Sequence, residues 1–203
     1  VWMNGVEVAL WDDARNRASR LSYLSQWIGS TQSRPLSLSL PLLPDGESHQ
    51  GQVVNDYFDN LLPDNVTIRN RIRDRFATRS SNTFDLLEAI GRDCVGAVQL
   101  LPHSRTPDAI QRITFEPLND SGVAEVLRQV TTSALPGTSS SDDAFRISIA
   151  GAQEKTGLLL HDGQWCIPTG STPSTHIFKL PLGIVGNMRA DMHQSVENEW
   201  LCM

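Results

Sequence analysis

The stretch Phe145-Arg-Ile-Ser-Ile-Ala-Gly-Ala-Gln-Glu-Lys-Thr-Gly-Leu-Leu-Leu160 decides how this chain is read. Apolar runs on either side of a run of small residues predict a strand over 145–149, a loop through Ala150, Gly151, Ala152, Gln153, Glu154 and Lys155, and a strand over 156–160. A small-residue loop between strands lets backbone N–H groups approach phosphate oxygens, because little side chain stands in the way. The same residues suit a tight hairpin that holds no ligand. Gly151 alone does not separate the two readings, and neither GxGxxG nor Walker A spacing is present.

Downstream the pattern continues as strand, turn, strand: an Asp162-Gly163 turn, a strand over 165–167 and another over 175–180. Lys179 lies inside Ile177-Phe178-Lys179-Leu180, where an unpaired ammonium would be costly to bury. Strand lysines of phosphoryl-transfer enzymes pair with nucleotide phosphates and with a glutamate on a neighbouring helix. A helix read from His193 onward offers Glu197 and Glu199. Two residues on a helix are about 200° apart, so one of them faces the lysine. Glu199 lies nearer the apolar side formed by Val196, Trp200 and Met203, which is expected to be buried. An edge lysine with a packed stem is the alternative. No stop signal closes this helix, so the sequence reads as part of a longer protein. Val1 is followed by no charged-then-apolar leader, and no signal peptide is expected.

Upstream, Asn4-Gly5 between two short apolar runs predicts a hairpin, and Leu36-Ser-Leu-Ser-Leu40 alternates as a strand would. Helical spacing follows over 51–91. Val53, Val54, Tyr57, Phe58, Leu61 and Leu62 form one face, and Ile68, Ile72 and Phe76 a second. A short helix over 83–90 has Gly91 as its C′ residue. Residues 95–102 read as strand, 103–108 as a polar seam, 110–115 as strand, and Val123, Val126, Leu127 and Val130 as one face of a helix. Gly183-Ile-Val-Gly186 reads as a turn. The expected fold class is α+β, with an N-terminal accessory subdomain over 1–105 and a small β-rich lobe over 106–203.

A formal charge of −6 disfavours general binding to nucleic-acid backbones. Arg69, Arg71, Arg73, Arg75 and Arg79 form a local basic run, which is either a solvated helix face or a contact for nucleic acid or an acidic partner. No apolar run approaches the roughly 18 residues of a membrane span. Cys94, Cys166 and Cys202 lie far apart without a CxxC, which favours a reducing, cytoplasmic setting over a disulfide scaffold. His49, His103, His161, His176 and His193 show no ligand spacing, so no metal site is expected.

Taken together, Arg34-Pro-Leu-Ser-Leu-Ser-Leu-Pro41, Phe58-Asp-Asn-Leu-Leu-Pro-Asp64, Phe84-Asp-Leu-Leu87, Ile90-Gly-Arg-Asp-Cys-Val-Gly-Ala-Val98, Phe145 to Thr156, Trp165-Cys-Ile-Pro168 and Thr175-His-Ile-Phe-Lys-Leu-Pro181 resemble the N-terminal half of a HipA-type serine/threonine kinase toxin, in the family's order. The resemblance implies that 106–203 is the small lobe of a protein-kinase-like (phosphatidylinositol-kinase-like) fold. By the same resemblance, residues 150–155 form the ATP-phosphate loop, Lys179 contacts the nucleotide, Glu199 pairs with Lys179, and Ser148 is the autophosphorylated serine. A phosphate there adds about −1.5 to −2 charge beside the site meant for ATP, which would silence the kinase.

The resemblance also implies a substrate, an aminoacyl-tRNA synthetase (glutamyl-tRNA synthetase in the best-known case), whose phosphorylation halts translation and promotes persistence. It implies a HipB-like helix-turn-helix antitoxin as partner, and operator DNA reached through that complex. The catalytic Asp and the Mg²⁺ ligands are expected beyond residue 203, because Arg92-Asp93 has Gly91 in place of the catalytic-loop His and no Asp-Phe-Gly occurs. This segment alone is then expected to be inactive. A non-catalytic, antitoxin-binding module, or one half of a split kinase, would account for the same residues.

Overall fold

The computed structural model describes residues 1–14, 17–94, 96–103, 105–107, 112–131, 153, 155–170, 172–185 and 188–202. The chain opens as β1 (Trp2–Met3) and β2 (Val6–Glu7), followed by β3 (Ala9–Asp12), β4 (Arg20–Tyr23), α1 (Ser25–Ile28) and β5 (His49–Gln50). Three helices come next: α2 (Gln52–Asp59), α3 (Val66–Phe76) and α4 (Thr83–Ile90), then β6 (Val98–Gln99). The rest comprises β7 (Phe115–Pro117), α5 (Asp120–Thr131), β8 (Lys155–His161), β9 (Gln164–Pro168), β10 (His176–Lys179), β11 (Gly183–Val185), β12 (Ala190–Met192) and α6 (Ser195–Cys202).

The Asn4-Gly5 turn forms as expected. Both residues have positive φ, 49° and 78°, which a two-residue hairpin of the right twist requires. It pairs Trp2 with Glu7 and Met3 with Val6, and β6 adds to the other edge of β1. A second three-stranded sheet, in the order β3-β4-β5, packs with α1 to α4 around one apolar cluster. The helical stripes supply its centre: Val54, Phe58, Leu62, Ile68, Ile72, Leu86, Leu87 and Ile90 are buried. Trp11 stacks on Phe58 with ring centroids 3.7 Å apart. Asn65 caps α3 by accepting from the Thr67 N–H, and Asn82 caps α4 by accepting from that of Asp85, so side chains satisfy two helix-end donors.

A four-stranded sheet, in the order β10-β8-β9-β7, is antiparallel throughout. Asp162-Gly163 closes β8 onto β9 with φ of 48° and 78°, the same turn chemistry as Asn4-Gly5. Leu158 and Ile167 on one face pack against Val126 of α5, and Leu118, Val123, Trp165 and Phe178 surround them. This cluster shares no residue with the first.

Several sequence expectations change. Residues 36–40 form a turn closed by a single bridge, Ser37 to Leu40, because the Tyr23 hydroxyl accepts from the Leu36 N–H and donates to the Leu40 carbonyl, folding the segment around itself. Within 95–102 the described strand covers only Val98–Gln99. Gly183 begins a strand rather than a turn: after a left-handed φ of 68°, Ile184 and Val185 pair with Asp191 and Ala190. Gly91 is right-handed, with φ −68°, and opens a short 3-10 turn over Gly91–Asp93; it is not a left-handed C′ cap. Helix α6 begins at Ser195 and has no buried residue, and Trp200 is 77% exposed, contrary to the expected buried face. Its only apolar neighbour on that face within the described helix is the half-buried Val196, too little to cover an indole. The predicted strand over 145–149 lies outside the described residues, as do residues 110 and 111 of the strand predicted just before β7.

Candidate functional site

Alternation along β8 and β10 sorts their side chains onto two faces. Register pairs Phe178 with Thr156 and His176 with Leu158, and these share the face covered by α5. It also pairs Ile177 with Gly157 and Lys179 with Lys155, so the opposite face carries two lysines directly across from one another. Ile177 on that face is 54% exposed. Gly157 has no room for a side chain, since a Cβ there would meet the Ser174 Oγ at 2.4 Å. The close approach is fixed by Thr175, whose N–H donates to the Leu158 carbonyl at 3.0 Å and whose Oγ1 accepts from the Leu160 N–H at 2.7 Å.

Two ammonium groups across an antiparallel pair repel. Helix α6 offsets this, because the Lys179 Nζ donates to the Glu199 carboxylate. Glu199 therefore faces the lysine and Glu197 does not share that bond, although the α6 face expected to be buried beside Glu199 is exposed. Lys155 is held below the usual lysine range, first by burial and then by the charge of Lys179; the carboxylates of Glu199 and Asp64 oppose that shift. Gln153 donates from Nε2 to the Leu180 carbonyl at 2.6 Å, tying the end of the predicted loop to the residue after Lys179. The structure thus gathers Gln153, Lys155, Lys179 and Glu199. Ser148, Ala150, Gly151, Ala152 and Glu154 lie outside the described residues.

Two depressions, of about 280 and 300 Å³, lie elsewhere, around Trp11 and Phe84 in the N-terminal sheets and helices. They do not include the lysines. We place the site at the lysine pair because there two cations of one face converge with a partnering carboxylate.

Part of the arginine run ties neighbouring elements together. Arg69 forks onto Asp59 at 2.7 and 3.0 Å and donates to the Pro63 carbonyl at 2.6 Å. Arg71 donates to the Val130 carbonyl at 3.1 Å, and Arg79 bridges Asp85 and Glu88. Two arginines of α3, Arg69 and Arg71, are thus ties to neighbouring elements, while Arg73 pairs with the exposed Asp74 on the solvated side as the solvated-face reading has it. The carboxylates Asp59, Asp85 and Glu88 were in the sequence without a spacing that pointed to them. Among the described residues no group of His, Cys, Asp and Glu could hold a metal ion, and no helix is long and apolar enough to cross a membrane.

Residues 1–101 match the model of the HipA N-terminal domain. The chain is of the HipA type. Over 94% of its length it is 28% identical to the serine/threonine-protein kinase toxin HipA of Shewanella oneidensis, and over 90% it is 30% identical to the protein Y4mE of Sinorhizobium fredii. Its fold matches, with a TM-score of 0.63 and 26% identity over 88% of the chain, a chain of the solved complex of HipA, HipB and operator DNA from Shewanella oneidensis MR-1. The HipA-type chain spans 39% and 43% of the two relatives and 39% of the solved chain. The likeness to kinase toxins therefore runs through both apolar clusters, and α/β architecture with several small sheets is common to them.

Proposed function

We propose that the β7–β10 sheet with α5 and α6 is the nucleotide-binding lobe of a HipA-type serine/threonine kinase, and that Lys155 and Lys179 hold phosphate oxygens of ATP. The observation that carries this is the pairing of Lys179 with Glu199 across from Lys155 on the sheet face opposite α5. A carboxylate that already bonds one ammonium keeps it extended and fixed, so the cation meets an incoming phosphate without reorganising. The backbone of residues 150–155 would complete the cradle, and the exposed Ile177 offers an apolar surface beside it. Two ammonium groups suit a triphosphate and would leave its Mg²⁺ to ligands elsewhere in the protein. The bound ATP supplies the phosphoryl group, while this chain's residues bind and orient it.

For the whole protein we propose transfer of that phosphoryl group to a serine of an aminoacyl-tRNA synthetase, such as glutamyl-tRNA synthetase. Restraint would come from a HipB-like antitoxin that bridges to operator DNA, and from phosphorylation of Ser148. The HipA relative named a serine/threonine-protein kinase toxin and the solved complex with HipB and operator DNA support this reading. The test is Lys179→Ala in the full-length protein, assayed with radiolabelled ATP. Phosphotransfer should fall by about 10²-fold or more, the scale on which losing one preorganised charge contact is felt. Activity within tenfold of the parent would remove Lys179 from the site.

A further inference from the structure

The pairing of β8 with β10 ends at Lys155 and Lys179. Continued in the same register, the ladder would set Pro181 against Gln153, and proline has no N–H to give. The chain bridges this break with a side chain. Gln153 donates from Nε2 to the Leu180 carbonyl at 2.6 Å, so it stays docked on the end of β10 past the point where backbone pairing stops.

This bond is the middle of three that converge on the end of β10. Before it, the Lys179 Nζ donates to the Glu199 carboxylate of α6. After it, and beyond Pro181, the Leu182 N–H donates to the Ser195 Oγ at 3.0 Å, where α6 begins. Residues 179–182 are thus held twice by α6 and once by Gln153. A carbonyl only accepts, so the amide nitrogen of Gln153 must face Leu180, and the donor end of this half-buried side chain is turned to protein. A side-chain tie also spends no backbone N–H, the group that a phosphate cradle needs.

We propose that Gln153 is a positioning residue for the phosphate cradle: its amide locks the loop read over 150–155 to the end of β10 and so sets the loop's distance from Lys179. The inference rests on the nucleotide reading above and deepens it. That reading names the groups that hold phosphate, and this one names what fixes their spacing. Gln153 acts through the loop backbone and Lys179 and touches no phosphate. Loop, lysine and α6 then form one unit, and the loop leaves the site only by giving up this bond.

The experiment uses the full-length protein with Gln153→Ala and with Gln153→Glu, which keeps the length but at about pH 8 has no proton to donate. Thermal melts show that all three fold. Binding of the imido analogue of ATP is measured by calorimetry, with adenosine as the probe that lacks phosphates. Both substitutions should weaken the analogue by about three- to tenfold, the scale of one net hydrogen bond, and leave adenosine within about twofold. In phosphotransfer the loss should appear in KM for ATP more than in kcat. Hydrogen–deuterium exchange without nucleotide reads the tie itself: the peptide over 150–156 should exchange faster in both variants, while peptides of the N-terminal domain hold. Unchanged exchange would mean there is no tie, and faster exchange with equal affinity for the analogue would mean a tie that positions nothing; either overturns the proposal. Equal weakening of adenosine overturns it too, because the damage is then general to the lobe. If the analogue fails to bind even the parent, the nucleotide reading falls and takes the positioning role with it, while exchange still shows whether the tie exists.

Discussion

A Cβ added to Gly91 would stand 2.7 Å from the Cβ of Leu100 and 3.1 Å from its Cδ1. Leu100 cannot retreat easily, because its N–H donates to the Gly91 carbonyl at 2.7 Å and its side chain is buried in the N-terminal cluster. Gly91→Ala should therefore destabilise the N-terminal domain by about 1–3 kcal/mol, the usual range for overpacking; denaturant melts followed by circular dichroism would check it, and an unchanged midpoint would show that the two backbones can part. In the sequence Gly91 was legible as a helix terminator, which it is. That its reason is close approach rather than a left-handed φ was not legible, since Leu100 lies nine residues on and no local pattern links them.

At the scale of elements, α3 is held by the Asp59 carboxylate as well as by its apolar stripe. Hydrogen bonding from Arg69 is the first cause that holds Asp59 below the usual carboxylate range, with Thr83 adding to it. A group whose folded pKa is depressed contributes stability that is complete well above its unfolded value, about 3.9, and is lost as pH falls below it toward the folded value. Asp59→Asn should accordingly cost about 1 kcal/mol at pH 7, a figure kept small because the carboxylate is half exposed. The variant's stability should also change less than the parent's as pH drops from 5 to 3. Identical acid limbs in the two proteins would deny the pairing. Periodicity found α2, α3 and α4, and turn chemistry found the hairpins at Asn4-Gly5 and Asp162-Gly163, because each depends on neighbours in sequence. Residues 36–40 misled by alternating like a strand, when a distant hydroxyl, that of Tyr23, takes the backbone groups a neighbouring strand would need. Lys179 stood out as a cation within an apolar strand, while the choice of Glu199 leaned on a buried α6 face that the structure leaves exposed; the partnership of Lys155 with Lys179 was not legible, because it follows from register across β8 and β10.

Across the whole molecule, the two apolar clusters have no residue in common, and the Arg71 to Val130 bond crosses from the helices of one to the helix of the other. Damage to one core should stay in it. Leu158→Ala removes a fully buried side chain from the smaller cluster and should cost about 2–5 kcal/mol. Amide NMR shifts should change over residues 115–178 and hold over most of 1–100, and shifts spread evenly along the chain would mean the two cores fold as one.

The five tryptophans divide in a useful way. Trp2, Trp11, Trp27 and Trp165 are half-buried or buried, whereas Trp200 is 77% exposed and adjoins Glu199 in α6. A single indole in water, one position from the carboxylate that grips Lys179, is a built-in fluorophore. Its red-edge emission reports, without a label, whenever a ligand or a companion surface takes the solvent away from that helix.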